Sequence, residues 1–169
     1  AGIACHSCHL ESATDFSLHD IGQGKPVDVL SVRGVIGTSP YLRDASHWRL
    51  RALHDVAVTG YRDHQRRVNW DRAAALDAYL KSLSPPSHAR QREKLDAERM
   101  RRGVAAFFAA DCAVCHTPPA FTNLGQQPAA SLFPDYYGPG GPAAGLDKFL
   151  DTPSLRGISQ TAPYLHDAR

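Results

Sequence analysis

Residues 5–9 read Cys-His-Ser-Cys-His, and residues 112–116 read Cys-Ala-Val-Cys-His. Each stretch offers two thiols three positions apart and an imidazole on the next residue. Thiols at this spacing can add across the two vinyl groups of a haem, and the adjoining histidine can then ligate the iron from below the ring. The spacing is tight because two thioether bonds and one Fe–N bond must form on one short turn. Other chemistries fit less well. A redox-active Cys-x-x-Cys pair would sit near a βαβ pattern, and none is present. A structural zinc site draws four ligands from two close pairs of residues, whereas these pairs are far apart in the chain. All four cysteines lie in the two motifs, so none is left for a structural disulfide or a separate reactive thiol. The expectation is two covalently attached haem c groups, one on Cys5, Cys8 and His9, the other on Cys112, Cys115 and His116. His6, inside the first motif, is expected to be an exposed variable residue.

The motifs belong to an internal repeat. Residues 29–45, VLSVRGVIGTSPYLRDA, align without a gap with residues 152–168, TPSLRGISQTAPYLHDA. Nine of the 17 positions are identical, among them Ser31/Ser154, Arg33/Arg156, Gly34/Gly157, Pro40/Pro163 and Tyr41/Tyr164, which marks two copies of one unit. Each unit runs Cys-x-x-Cys-His, loop, Ser-x-Arg-Gly, Thr-x-Pro-Tyr-Leu. The loop is longer in the second copy. The Pro/Gly-rich residues 126–145 are the expected place of the insertion, as a surface loop.

Helices should carry these motifs. Residues 46–60 read as a helix with Ser46 as N-cap, Gly60 as stop and an apolar face of Leu50, Leu53 and Ala57. Residues 69–83 read as a second helix, ended by Ser84-Pro85-Pro86. Residues 84–92 read as a linker. Residues 96–111 read as a helix running straight into the second motif. No segment shows the strict alternation of a half-buried strand. The expected fold is all-α, with two tandem cytochrome c-like haem domains. The first spans 1–86 and lacks its N-terminal helix. The second spans 87–169 and lacks its C-terminal helices, so both are expected to be incomplete.

The formal charge of +2 is nearly neutral and the basic residues are scattered. Solvated helix faces account for the Arg62/Arg66/Arg67 and Arg99/Arg101/Arg102 clusters better than nucleic-acid binding does. The longest apolar run, residues 103–110, is far too short to span a bilayer. No signal peptide or lipidation motif is visible.

Two Cys-x-x-Cys-His units, each followed by Ser-x-Arg-Gly and Thr-x-Pro-Tyr-Leu-x-Asp, resemble the bacterial di-haem cytochrome c peroxidase family. That family includes the related di-haem oxidases that mature methylamine dehydrogenase. Residues 152–168 are the most specific match, and residues 75–86 resemble the family's closing helix. The resemblance implies a periplasmic oxidoreductase in which one haem admits electrons and the other binds peroxide. It implies reduction of hydrogen peroxide to water with electrons from a small donor protein, a cytochrome or cupredoxin. The alternative is a non-catalytic di-haem electron-transfer cytochrome, a subunit or domain of a larger redox complex. Haem c is attached outside the cytoplasm, which suits the periplasm under both readings.

The family's usual methionine ligand is missing from the stretch after Thr-x-Pro-Tyr in the first unit. Met100, the single methionine, sits instead on the helix before the second motif, where a core or surface position is expected. His54 shares the apolar face of its helix and is either an iron ligand or a hydrogen-bonded core histidine. His19 and Gln23 are the distal candidates, since they lie where the family carries its distal histidine. His47 and His64 are expected at the surface, and His166 near the haem in a structural role. Arg33 and Arg156 are expected to pair with haem propionates, or else with acidic neighbours. Pro40/Tyr41 and Pro163/Tyr164 are expected against a ring edge. For Trp48 and Trp70 core packing is the default, with a haem or unit contact as the other possibility.

Overall fold

The computed structural model describes residues 4–20, 26–55, 69–85, 96–142, 148–162 and 164. The chain packs as two compact units. Unit 1 comprises Ala1–Ile36, Arg49–Pro86 and Gly157–Arg169, and unit 2 comprises Gly37–Trp48 and Ser87–Arg156. The long segment of unit 1 ends at Pro86 in the chain, and that of unit 2 begins at Ser87. Two short segments pack out of chain order. Residues 37–48, from the first sequence copy, belong to unit 2, and residues 157–169, from the second, belong to unit 1.

Unit 1 opens with a 3₁₀ turn over Cys5–Ser7 and a second over Leu10–Ser12. A short antiparallel hairpin follows, β1 (Leu18–Asp20) against β2 (Pro26–Asp28), with His19 opposite Val27. Helix α1 (Leu50–Asp55) packs on α2 (Trp70–Ser82). The buried apolar side chains of this unit include Val29, Leu50, Ala73 and Leu80.

Helix α2 begins where Asn69 caps it, its Oδ1 accepting the Arg72 amide at 3.0 Å. Asp71 in the first turn and Lys81 in the last complement the helix dipole, and Lys81 also pairs with Asp77 at 2.7 Å. The helix ends at Ser82, and Leu83 leaves it in extended form, two residues before Pro85-Pro86. Leu83 O accepts the Gly34 amide at 2.9 Å, which ties the Ser-x-Arg-Gly turn to the end of α2.

Unit 2 contains α3 (Ala97–Ala109), capped by Asp96, whose Oδ1 accepts the Glu98 amide at 2.8 Å. A one-turn helix, α4 (Cys112–Cys115), carries the second motif. A second hairpin pairs β3 (Gln126–Pro128) with β4 (Phe149–Asp151), Gln127 lying opposite Leu150. Two short helices, α5 (Ala129–Leu132) and α6 (Pro134–Tyr137), follow β3 directly. Ala129, Tyr137 and Leu150 form the buried cluster, with Phe133 and Tyr136 packed against it.

Residues 37–48 dock on the same hairpin. The Asp151 amide donates to Arg43 O at 2.7 Å, and Gln126 Nε2 donates to Asp44 O at 3.0 Å. Tyr41 and His47 close this segment by exchanging backbone hydrogen bonds, and Pro40 and Ala45 are buried within it.

Several sequence expectations need correction. The fold is mainly α rather than all-α, because two three-residue hairpins are too short to show alternation. The expected 46–60 helix starts only at Leu50, since the Ser46 amide donates to Asp44 Oδ1 and its hydroxyl meets His47 Nδ1 instead of capping. Residues 56–60 lie outside the described residues. The α3 helix does not run straight into the second motif. Asp111 takes a left-handed conformation (φ 56°) and breaks it. Described residues of the 126–145 segment are not a surface loop, because their aromatic side chains supply the buried cluster of unit 2. Its Gly138 lies so close to Pro134 O that a side chain there would collide with backbone. Trp48 and Trp70 are exposed rather than core, at 69% and 60% relative exposure, with the Arg51 guanidinium 5.8 Å from the Trp70 ring centroid.

Candidate functional site

The two motifs form similar turns. In the first, the His9 amide donates to Cys5 O at 2.8 Å, and in the second the His116 amide donates to Cys112 O at 2.9 Å. Each bond folds the histidine back over the turn that carries both thiols. No disulfide joins the four cysteines, and Cys5 is exposed and the other three partly exposed, so they are open to a bulky electrophile.

Behind each motif the repeated Ser-x-Arg-Gly turn does the same work. Ser31 Oγ donates to Ser12 O at 3.2 Å, and Ser154 Oγ donates to Ala120 O at 2.6 Å. Each hydroxyl also accepts the amide of its arginine, Arg33 at 3.2 Å and Arg156 at 3.3 Å. Gly34 and Gly157 then turn the chain with φ of 72° and 78°, in the left-handed region that favours glycine. The sequence repeat is therefore a repeated scaffold, which clamps the loop just past each motif histidine.

His116 shows how the scaffold prepares a ligand. Its Nδ1 lies 3.1 Å from Phe121 O. A carbonyl can only accept, so Nδ1 carries the proton and Nε2 presents its lone pair. This hydrogen-bonded orientation is how metal-ligating histidines are held. The Phe121 carbonyl is itself fixed. Its residue sits at φ 55°, its oxygen also accepts the Leu155 amide at 3.2 Å, and its ring packs edge-on against Phe107 of α3 at 6.0 Å.

Burial pushes the pKa of His9 down, with the carbonyls of Ala13 and Leu30 and the Asp15 charge opposing. Those carbonyls lie near the ring, yet neither meets the buried Nδ1 with hydrogen-bond geometry. A buried, neutral imidazole is the form that binds iron. Burial also raises the Cys8 thiol, helped by Asp15 and Cys5.

Large apolar side chains stand exposed near both motifs: Leu10 and Phe16 beside the first, Phe108, Val114 and Leu124 beside the second. Apolar surface of this kind marks ligand grooves. In unit 1 a cleft of about 560 Å³ opens beside the first motif, lined by Leu10, Phe16, Arg33, Gln160 and Thr161 among others. Thiol pairs, an imidazole with a free Nε2 and adjoining apolar surface together fit a porphyrin.

The remaining candidates divide. His19 is described: its Nε2 lies 2.6 Å from Asp15 Oδ2, beside the first motif. Partial burial works to raise the Asp15 carboxyl, but His19 and the Ser17 amide outweigh it and hold it low. Gln23 and His166 lie outside the described residues, as do Pro163 and His64. His54 is in α1, but its side chain lies outside what is described. Arg33 is exposed and donates through Nε and Nη2 to Glu11 O at 3.1 and 2.9 Å, which turns its guanidinium toward the loop after the first motif. Arg156 Nε lies 3.2 Å from Ser154 Oγ. His6 is exposed, as expected, and lines the unit 1 cleft. His47 is partly exposed, and Met100 is exposed on α3. Tyr164 donates its hydroxyl to Ile158 O at 2.8 Å.

Sequence reasoning did not find Asp15 or the presence of Gln160 and Thr161 in the cleft. Asp15 carries no motif signal. Gln160 and Thr161 reach unit 1 only because residues 157–169 pack there.

No protein-family model and no curated relative matches the sequence. Two solved structures share its helix-rich fold. A hydrazine synthase from Kuenenia stuttgartiensis superposes with a TM-score of 0.71 at 20% identity, over 98% of this chain and 68% of that one. A MauG-like protein associated with microbial copper homeostasis superposes with a TM-score of 0.64 at 19% identity, over 98% of this chain and 64% of that one. The chain thus spans about two thirds of each neighbour's length. At these identities the likeness establishes the fold alone.

Proposed function

We propose that the chain is a di-haem c-type cytochrome acting as an oxidoreductase of the cytochrome c peroxidase type. The carrying observation is the doubled arrangement: two Cys-x-x-Cys-His turns, each backed by the same serine clamp and left-handed glycine. A fold shared with a hydrazine synthase and a MauG-like protein supports a redox enzyme over a zinc protein.

In this reading Cys5 and Cys8 bind the first haem covalently and His9 ligates its iron. Cys112, Cys115 and His116 do the same for the second. Bound haem supplies one-electron chemistry and, where its sixth position opens, a site for peroxide. The chain's residues supply the rest. His116 keeps its proton on Nδ1 and its lone pair on Nε2. Leu10, Phe16, Val114 and Leu124 would offer apolar surface to the bound group. Arg33 and Arg156 stand beside the clamp serines as propionate partners. His54 would be a further iron ligand in this reading. His19, bonded to Asp15, and Gln23 would be the distal candidates. Electrons come from a small donor protein, a cytochrome or cupredoxin, in the periplasm.

The test is visible and EPR spectroscopy of oxidised and half-reduced protein, with and without hydrogen peroxide. One high-spin ferric haem that reacts with peroxide supports the peroxidase reading. Two low-spin haems indifferent to peroxide in both states would make the chain an electron relay within a larger redox complex.

A further inference from the structure

The first motif has a carboxylate–imidazole pair beside one of its thiols, and among the described residues no such group stands at the second. Cys8 Sγ, an Asp15 carboxylate oxygen and a His19 ring nitrogen all lie within 4.8 Å of one another. Asp15 is pinned twice, by His19 Nε2 at 2.6 Å on Oδ2 and by the Ser17 amide at 3.1 Å on Oδ1. Its side chain is only 12% exposed and that of His19 35%, so solvent screens the pair incompletely. At matching spacings after the second motif stand residues 122–127, Thr-Asn-Leu-Gly-Gln-Gln, with no charge among them.

We propose that the Asp15–His19 pair sets the reduction potential of the haem carried by Cys5, Cys8 and His9, its two members acting with opposite sign, and so separates that haem's potential from the other's. The inference rests on the di-haem reading above. A carboxylate beside the thioether stabilises the more positive ferric state and lowers the potential. An imidazolium there disfavours it and raises the potential. Held 2.6 Å apart, the two nearly cancel, and removing either one exposes the other. Both are therefore positioning residues for the electron-transfer step.

The experiment is a spectroelectrochemical titration of the haem-loaded protein at about pH 5.5, below the ordinary imidazole value of about 6.5. Asp15→Asn is expected to raise one midpoint, and His19→Gln to lower the same one. At that haem's wild-type midpoint each variant changes the reduced-to-oxidised ratio by about three- to tenfold, for one charge at this range in a partly screened site. The double variant returns close to wild type, and the other haem's midpoint stays put. Asp15→Glu, which keeps the charge, is the control against a merely structural role and should leave the potential near wild type.

Shifts of the same sign in D15N and H19Q, equal movement of both midpoints, no movement, or a D15E shift matching D15N would each overturn the proposal. Haem content separates this from failure of the functional reading. If the wild-type chain carries no haem c the functional reading falls, whereas haem-loaded variants with unmoved potentials refute the pair alone.

Discussion

Gly34 offers a sharp test of how the Ser-x-Arg-Gly turn is held. Its φ is 72°, and a Cβ added there would come within 2.6 Å of Pro85 Cγ and 3.0 Å of Pro85 Cα. Gly37, three residues on, has nearly the same φ of 74° but nothing within 4 Å of an added Cβ. Alanine at Gly37 should therefore cost only left-handed strain, about 1–2 kcal/mol. Alanine at Gly34 should cost that strain plus displacement of Pro85, bringing the total to about 2–5 kcal/mol. The clash also pushes on Leu83, whose carbonyl holds the Gly34 amide, so the turn should loosen from the end of α2. Urea denaturation of the haem-loaded protein, followed by far-UV circular dichroism, reads both values. Equal losses for the two variants, or a smaller loss for Gly34→Ala, would refute the close packing of the turn against Pro85.

Other expectations are simpler to state. Burial pushes the Asp151 carboxyl up to about 7, against the Thr152 amide that favours its charged form. A carboxyl whose folded pKa lies above its unfolded value stabilises the fold in its protonated form. That advantage is full below about pH 4 and is lost as pH rises to about 7, at about 1.4 kcal/mol for each pH unit crossed. Asp151→Asn should thus match wild type near pH 4 and exceed it near pH 8 in thermal melts, by an amount on the order of a few kcal/mol. Removing the α2 cap with Asn69→Ala should cost about 1 kcal/mol, and Asn69→Asp should restore most of it in the same melts. Ser154→Ala should cost about 1–2 kcal/mol and more than Ser31→Ala, because Ser154 Oγ donates at 2.6 Å and accepts from two groups of Arg156.

What the sequence made legible was local. The Cys-x-x-Cys-His spacing, the repeated Ser-x-Arg-Gly and the α2 helix with its Asn69 start and proline stop are all short-range patterns. The features that escaped depend on contacts distant in sequence or on side chains masked by composition. Residues 37–48 pack in unit 2 because Gln126 and Asp151, more than 80 positions away, bind their carbonyls. The 126–145 segment reads as loop from its prolines and glycines, yet Ala129, Phe133 and Tyr137 recur four apart and fold inward. Helix 46–60 reads well by periodicity but begins late, because Asp44 captures the Ser46 amide first. Asp15 and His19 meet where an irregular stretch enters β1, and spacing alone places nothing there.

The central claim is that both motifs carry covalently bound haem. Intact-protein mass spectrometry after acid–acetone extraction, on chain produced with a haem c attachment system, tests it directly. The account predicts a mass increased by two haems that survives extraction, and by one haem when Cys112 and Cys115 are both replaced by alanine. An extracted chain at its unmodified mass, with four alkylatable thiols, would contradict it.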